Sequence, residues 1–220
     1  MRICGIIISA GLSERMGTDK ALLNYNGIPF VIQIILNLSK VCEKIIVVTR
    51  HNSEKIKISI EEFFLSHNLL NNETISQFRH AELKDAKEKV KVIFNPDYET
   101  GMFTSLQKGI GEALNYDWTI YHFVDQPMLQ ENFYSDLISQ TDETYDWIQP
   151  EYKGKKGHPI VFRKSIYDMI LNSPQESSLK EISNNEIIKK KLWDCGYPEV
   201  LNDIDTPDIY YELTNGRTWI

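Results

Sequence analysis

Cysteine is scarce in this 220-residue sequence, and the way it is distributed excludes two kinds of site. The three cysteines, Cys4, Cys42 and Cys195, are odd in number, lie far apart and form no CxxC pair. They therefore predict neither a disulfide scaffold nor a zinc site. Free thiols are typical of a reducing compartment, so we expect a cytoplasmic protein.

The sequence also lacks an excess of positive charge and a long apolar run. Lysine and arginine number 24 against 31 acidic residues, a formal net charge of −7, which argues against a nucleic-acid-binding surface. No apolar run reaches the roughly 18 residues of a membrane span. The short apolar run at the start is soon followed by charged residues such as Glu14 and Lys20, which favours a buried strand over a signal peptide.

What the sequence does have is enough apolar material for one sizeable core. Hydrophobic residues make up 42% of the chain and charged residues 25%, and there is no low-complexity linker or internal repeat. We therefore expect a single domain over residues 1–220.

Short apolar strands alternate with amphipathic helices along the chain. This alternation predicts an α/β fold with a mainly parallel sheet and helices on both faces. Two stretches depart from it: residues 66–89 suggest a surface loop with a short helix, and residues 151–162 suggest a β-hairpin attached to the sheet. The predicted strands are 3–9, 44–49, 90–94, 118–124 and 147–149; the predicted helices are 29–41, one through residues 56–64, 103–114 and 132–140.

The loop after the first strand has the features of a phosphate-binding loop. It reads SAGLSERMGTDK, in which Gly11 and Gly17 allow tight bends while Arg15 and Lys20 can neutralise phosphate charge. The spacing matches neither the GxGxxG fingerprint nor the Walker sequence. An ordinary loop with solvated cations is the alternative, and the position after the first strand favours phosphate binding.

Carboxylates follow a strand and recur near the C-terminus. Asp125 comes directly after the strand at 118–124 and is followed by Gln126 and a proline, a suitable place to hold Mg²⁺ against phosphate oxygens. Asp203 and Asp205 offer two further carboxylates. The alternative is that these residues only cap turns and helices, as Thr206 is expected to do for a helix that begins at Pro207.

Two smaller motifs complete the candidate site. Residues 101–106, GMFTSL, open a helix whose first amides could meet a nucleotide, with an ordinary helix start as the alternative. In the sequence GHP, His158 could donate a hydrogen bond to an anionic substrate or could be a structural turn residue.

Taken together, these motifs resemble the nucleotidyltransferases of molybdenum cofactor maturation, specifically their cytidylyltransferase branch. The resemblance runs from residue 6 to residue 208, and GMFTSL with GHP and DIDTP is its most discriminating part. The motifs that carry it, in chain order, are SAGLSERMGTDKALL, GMFTSL, VDQP, QPEYKGKKGHPIVF and LNDIDTP.

The resemblance implies a Rossmann-like fold of the nucleotide-diphospho-sugar transferase type and assigns roles to individual residues. Lys20, Arg15 and Asp125 would be catalytic, Asp125 and Asp205 would hold Mg²⁺, and His158 would lie near the pterin or its phosphate. The residues implied to bind the nucleotide are Ala10, Gly11, Leu12, Ser13, Arg15, Lys20 and Ser105.

The reaction implied is attack by the terminal phosphate of molybdopterin on the α-phosphorus of CTP, with release of pyrophosphate. A recipient molybdoenzyme would be a further partner. Because the nucleophile is already an anionic phosphate, no general base is needed, and positioning, a magnesium bridge and cations on the leaving group supply most of the rate.

The sequence departs from the family pattern at three places. Ser9 replaces a usual alanine, the polar segment 66–89 is long, and residues 173–179 read SPQESSL where the family commonly has Gly-Asp-x-Gly against the pterin. Two alternatives stay open, the first because of these departures and the second because a fold and a pocket do not guarantee activity. One is a nucleotidyltransferase that uses GTP or another phosphorylated acceptor, such as a sugar or an alcohol phosphate, and the other is a non-catalytic chaperone for the cofactor.

Overall fold

The centre of the molecule is a mainly parallel sheet, seen in a computed structural model that describes residues 1–9, 19–50, 52–66 and 80–214. Four of its strands pair in parallel in the order β6-β1-β4-β5, with β5 at one edge of the sheet: β1 (Ile3–Ser9), β4 (Lys44–Thr49), β5 (Val90–Phe94) and β6 (Trp118–Phe123). Every residue of β1 is buried. That burial explains its unbroken apolar sequence, because a parallel strand is covered on both faces.

The other half of the sheet contains an antiparallel strand. Strand β9 (Ile160–Arg163) lies between β6 and β7 (Trp147–Tyr152) and runs antiparallel to both, while β10 (Lys190–Asp194) pairs in parallel with β7 at the edge. The hairpin expected at 151–162 is therefore part of the main sheet. Only the two-residue strand β8 (Lys155–Lys156) forms a local hairpin with β7.

Helices cover both faces of the sheet, as the alternating pattern predicts. One apolar core lies under α1, α2, α3 and α5, and a second lies under α4, α6 and α7. The helices are α1 (Phe30–Leu38), α2 (Ser53–Ser66), α3 (His80–Lys89), α4 (Met102–Glu112), α5 (Glu131–Ser139), α6 (Tyr167–Asn172), α7 (Leu179–Ser183) and α8 (Pro207–Thr214).

Several expected boundaries shift by a few residues. Pro29 belongs to the small hairpin of β2 (Asn24–Tyr25) and β3 (Ile28–Pro29), so α1 begins one residue later than predicted and ends at Leu38. Within the segment predicted as a loop with a short helix, α3 packs Leu83 and Ala86 into the core. Helix α8 begins at Pro207 as expected, and Thr206 Oγ1 accepts a hydrogen bond from the Ile209 amide at 3.4 Å.

None of the helices that the structure describes is both long and apolar enough to cross a bilayer.

The direction in which successive strands are added to the sheet reverses beside β1. After β1 the chain builds β4 and β5 on one side and later returns to place β6 on the other. In open α/β sheets ligands bind outside the carboxyl ends of the strands at such a point. The ends of β1 and β6 are therefore where a site is expected.

Candidate active site

An ion cluster lies at the carboxyl ends of β1 and β6. The Lys20 ammonium is 3.1 Å from Asp125 Oδ2 and 2.5 Å from Asp205 Oδ1, and the Lys20 side chain is only 11% exposed. Asp125 comes two residues after the end of β6, and Lys20 opens the short 3₁₀ turn that follows the loop after β1. Three residues separated by up to 185 positions in the chain thus meet at one point.

Backbone contacts fix the two acidic segments relative to each other. The Ile204 amide donates to the Asp125 carbonyl at 3.0 Å, and the Ile204 side chain is fully buried. Gln126 donates through Nε2 to Asp203 Oδ1 at 2.9 Å. The alternation of Asp203, Ile204 and Asp205 therefore anchors the middle residue in the core, while Asp205 contacts Lys20 and Asp203 contacts Gln126.

The charges in this cluster shift one another's pKa values. Burial raises the pKa of Asp203 to about 6, and the neighbouring Asp125 and Asp205 carboxylates add to the shift. Burial also raises the pKa of Asp125, although Lys20 opposes the shift. Burial alone would lower the pKa of Lys20, but its hydrogen bond to Asp205 and the Asp125 charge outweigh that effect and raise it.

The donor set suits a hard divalent cation that is shared with a ligand. Asp125 Oδ1 is buried and has no hydrogen-bond partner among the described residues, so a carboxylate oxygen remains available there. No three acidic, histidine or cysteine side chains in the described part of the chain form a complete metal cage. Mg²⁺ typically takes one or two carboxylates and completes its coordination with water and substrate phosphates, so Asp125 and Asp205 fit it.

Gly157 and His158 join this cluster to a neighbouring cavity. The His158 amide donates to the Val200 carbonyl at 3.0 Å, and Gln126 Nε2 approaches the same oxygen at 3.4 Å. The His158 ring lies 4.8 Å from the Phe123 ring, centroid to centroid. His158 is therefore held next to the Asp125 turn through a shared backbone acceptor.

The cavity itself measures about 540 Å³ and has mostly apolar and aromatic walls. Its polar groups include His158, Lys156 and Lys180, and none of its described lining residues is acidic. Burial lowers the pKa of His158 to about 4, so the imidazole is neutral near pH 7 and can donate a hydrogen bond without carrying a charge. The remaining lining residues are Met102, Phe103, Leu106, Tyr121, Phe123, Trp147, Gln149, Ile160, Ser177, Ser178, Leu179, Ser183 and Asn184.

Ser105 is placed inside the fold rather than at an open surface. Its side chain is fully buried, and Oγ accepts a hydrogen bond from Asn95 Nδ2 at 2.9 Å. The same amide donates to Thr104 Oγ1 at 2.8 Å. In this structure Ser105 helps to fix the start of α4, and its nucleotide contact stays a prediction.

The predicted nucleotide loop falls mostly outside the described residues. That applies to Ala10, Gly11, Leu12, Ser13 and Arg15, whose roles therefore stay predictions.

Sequence reasoning passed over two polar residues at strand ends. Asn95 directly follows β5 and is 1% exposed, and Arg50 directly follows β4 and is 7% exposed. The available signal was the same as for Asp125, a polar residue placed immediately after a predicted strand.

A MobA-like NTP transferase domain matches residues 5–190 of this chain. The chain belongs to that family. The match covers the strands and the turn that carry Lys20, Asp125 and His158, and it makes the protein a nucleotidyltransferase, an enzyme of the class that the sequence motifs indicated.

Some relatives of this MobA-like protein are named cytidylyltransferases and others guanylyltransferases. The molybdenum cofactor cytidylyltransferase of Escherichia coli is 25% identical over 204 residues, which cover 92% of this chain and 91% of that protein. A probable molybdenum cofactor guanylyltransferase of Bacillus anthracis is 23% identical over 210 residues, with coverage of 87% and 89%.

Solved structures confirm the expected fold. Rv0371c from Mycobacterium tuberculosis superimposes with a TM-score of 0.70 at 16% identity and covers 98% of each chain, and its complex with manganese gives 0.67. At this identity the similarity shows the fold alone, the nucleotide-diphospho-sugar transferase type that the resemblance implied.

Proposed function

We propose that this enzyme transfers CMP from CTP to the terminal phosphate of molybdopterin and releases pyrophosphate. The observation that carries the proposal is the Lys20, Asp125 and Asp205 cluster beside the cavity of about 540 Å³. The cluster has the charged groups that would bind a triphosphate and a divalent cation. The cavity has the volume and the apolar, aromatic walls that would hold a planar acceptor.

The proposed reaction requires that the acceptor phosphate and CTP be positioned and that the negative charge on the leaving group be stabilised. An oxygen of the acceptor phosphate forms a bond to the α-phosphorus of CTP, while the bond from that phosphorus to the bridging oxygen breaks and pyrophosphate leaves with its electron pair. Such transfers depend on in-line placement and on neutralising the charge that builds up on the leaving group. Because the acceptor is already an anion, the chain needs to supply no base.

The residues of the cluster divide these tasks between them. Lys20 would donate to the triphosphate oxygens that become pyrophosphate, and Asp125 and Asp205 would hold a divalent cation. That cation, Mg²⁺ in our proposal, supplies Lewis-acid neutralisation of phosphate charge when bound. The manganese complex of the Mycobacterium protein with the same fold supports a divalent cation in this fold.

The cavity supports an acceptor with a flat, largely apolar body and a negative charge. Aromatic side chains, among them Phe123 and Trp147, form its walls, and Lys156 and Lys180 are the charged groups of its lining. Neutral His158 would donate to the acceptor, and Ser177 to Leu179 line the cavity where the family pattern is not kept.

GTP is the second candidate donor, because several relatives are named guanylyltransferases. We place CTP first because the cytidylyltransferase of Escherichia coli matches over 92% of this chain. The base would lie against the loop at residues 10–18.

Calorimetric titration with CTP, GTP and ATP in the presence of Mg²⁺ tests the donor, and pyrophosphate release with molybdopterin tests the acceptor. We expect selective CTP binding and turnover with molybdopterin. Asp125→Ala should lower the rate by about a hundredfold or more, while Asp168→Ala, an exposed acid on α6, should leave it unchanged. Selective GTP binding would contradict the donor, and turnover with a sugar phosphate but not with molybdopterin would contradict the acceptor.

A further inference from the structure

Strand β10 leaves one edge of the main sheet open. It is the last strand in the order β6-β9-β7-β10, and in the described part of the chain it pairs with β7 alone. The Lys189 carbonyl and the Cys195 amide, just before and just after β10, both bond to the backbone of β7. Because the backbone groups of a strand point alternately to its two sides, those of Lys190, Leu192 and Asp194 point away from β7. They face the open edge, where a further strand can bond to them.

The sequence of β10 is complementary to itself in the antiparallel direction. It reads KKLWD, so two copies opposed at Leu192 place Lys190 of each chain opposite Asp194 of the other. Leu192 then lies opposite Leu192 of the second copy. All three positions have outward-facing backbone groups, and residues opposed in this way exchange both of their N–H···O bonds. The same register therefore satisfies the backbone and matches the charges.

The side chains at this edge are open to solvent. Lys190, Leu192 and Asp194 are exposed and alternate with half-buried neighbours. Leu192 is 47% exposed, and Ile187, shortly before the strand, is 78% exposed. The Lys190 ammonium donates to the Ser183 carbonyl at 2.5 Å, which leaves it further donors for a carboxylate. The open edge thus combines backbone groups, opposite charges and exposed apolar side chains.

We propose that a second copy of this chain binds along β10, antiparallel and centred on Leu192, so that the two sheets join into one. The result is a closed two-fold dimer in which the same surface serves both copies. The contact is short, which places it among the weak interfaces whose occupancy depends on concentration. The inference goes beyond the proposed reaction and does not depend on it, because β7 and β9 separate β10 from β6 and the ion cluster.

Lysine at a sheet edge can also serve to keep other strands away. Asp194 distinguishes the two purposes here. In the antiparallel approach centred on Leu192 each Lys190 meets a carboxylate, whereas a shift by two residues would set Lys190 against Leu192 and Lys191 against its own copy. A parallel approach in register would set each charge against its like, which is unfavourable. The charges therefore select one arrangement instead of repelling all of them.

Sedimentation velocity of the full chain, from micromolar to millimolar concentration, tests the proposal. We expect the wild-type sedimentation coefficient to rise toward that of a dimer. Asp194→Lys should weaken association by about tenfold or more, because it sets ammonium against ammonium. Lys190→Asp combined with Asp194→Lys should restore association, since the opposed pairs again have opposite charges. Leu192→Glu, which opposes two carboxylates at the centre, is a second disruptive variant, and circular dichroism verifies that each variant is folded.

Asp168→Lys makes the same charge change at an exposed position on α6 and should leave association unchanged. Lys190→Ala separates strand pairing from edge protection: weaker association supports the pairing, and stronger association overturns it. Hydrogen exchange at the Leu192 amide should slow as the dimer forms, while exchange at the Lys191 amide, which faces β7, should not change. A wild type that stays monomeric to millimolar concentration, or a dimer that Asp194→Lys and Leu192→Glu both leave intact, also overturns the proposal.

Discussion

Gly157 shows how one missing β-carbon shapes the site. A β-carbon at this position would lie 2.5 Å from the Val200 carbonyl oxygen and 2.6 Å from its Cγ2. That carbonyl accepts from the His158 amide and is approached by the Gln126 amide. The glycine of the GHP motif is therefore required by the close approach of Val200, which links the proposed acceptor cavity to the turn at Asp125.

We expect Gly157→Ala to lower the free energy of unfolding by about 1–3 kcal/mol, because Val200 must shift to admit the methyl group. The same shift would move His158 and raise the KM for the acceptor. Chemical denaturation and steady-state kinetics measure the two effects. Gly111→Ala, in α4, is the control: its β-carbon would meet no atom within 4 Å, so stability should stay equal or rise by about 1 kcal/mol. A Gly157→Ala protein as stable as the wild type would contradict this account.

At the scale of the elements, one buried side chain connects β5 to the start of α4. Asn95 donates through Nδ2 to Thr104 Oγ1 and Ser105 Oγ, and its Oδ1 accepts from the Asp97 amide at 3.1 Å. The helix has no side-chain cap of its own at Gly101. Asn95, the residue after β5, therefore supplies the anchoring that the helix start lacks.

Asn95→Ala should destabilise the protein by about 1–3 kcal/mol, because it removes these hydrogen bonds inside the core. It should also raise the KM for the acceptor more than the KM for the nucleotide, since Met102, Phe103 and Leu106 of α4 line the cavity. Thermal unfolding and a comparison of the two KM values provide the measurement. Asn172→Ala, at the exposed end of α6, is the matched control and should change neither the stability of the protein nor the two KM values. Equal changes in both KM values would show that α4 does not position the cavity wall.

Sequence periodicity identified the elements but not how distant ones pair. β1, β4 and β5 were predicted with their observed bounds, because each is a short, mostly apolar segment rich in isoleucine or valine. Strand β9 was expected in an attached hairpin and instead lies within the sheet, since local pattern carries no information about pairing with β6. Strand β10 was missed because its residues alternate between exposed and half-buried at the sheet edge.

The same limit applies to the site. Lys20, Asp125 and Asp205 were selected from their positions near strand ends and from the family resemblance, and the structure brings all three together. What the sequence could not show is that Lys20 lies between the two acids. That contact depends on chain segments more than a hundred residues apart. The structural part played by Asn95 was missed for a different reason: its partners are only nine and ten positions away, but the periodicity of the sequence does not show which hydrogen bonds a buried side chain makes.

At the scale of the whole molecule, a buried histidine joins the sheet to a helix and makes stability depend on pH. His122 of β6 is fully buried; its Nδ1 donates to the Phe123 carbonyl at 2.7 Å, and its Nε2 accepts from the Tyr134 hydroxyl of α5 at 2.7 Å. Burial lowers the pKa of His122 to about 4, against 6.5 for an unperturbed imidazole. Between about pH 4 and pH 6.5, His122 is therefore mostly neutral in the folded protein and mostly protonated in the unfolded chain.

The sign of the effect follows from that difference. Above about pH 6.5 His122 is neutral in both the folded and the unfolded protein, so it does not change stability with pH. Below about pH 6.5 the unfolded chain binds a proton at His122, whereas the folded protein does not bind one until the pH is near 4. We therefore expect the free energy of unfolding to fall between about pH 6.5 and pH 4, by at most about 3 kcal/mol from this group. Urea denaturation across this range should show a smaller fall for His122→Gln than for the wild type. His80→Gln, at an exposed position at the start of α3, should keep the wild-type slope, and an unchanged slope in His122→Gln would show that other groups cause the acid sensitivity.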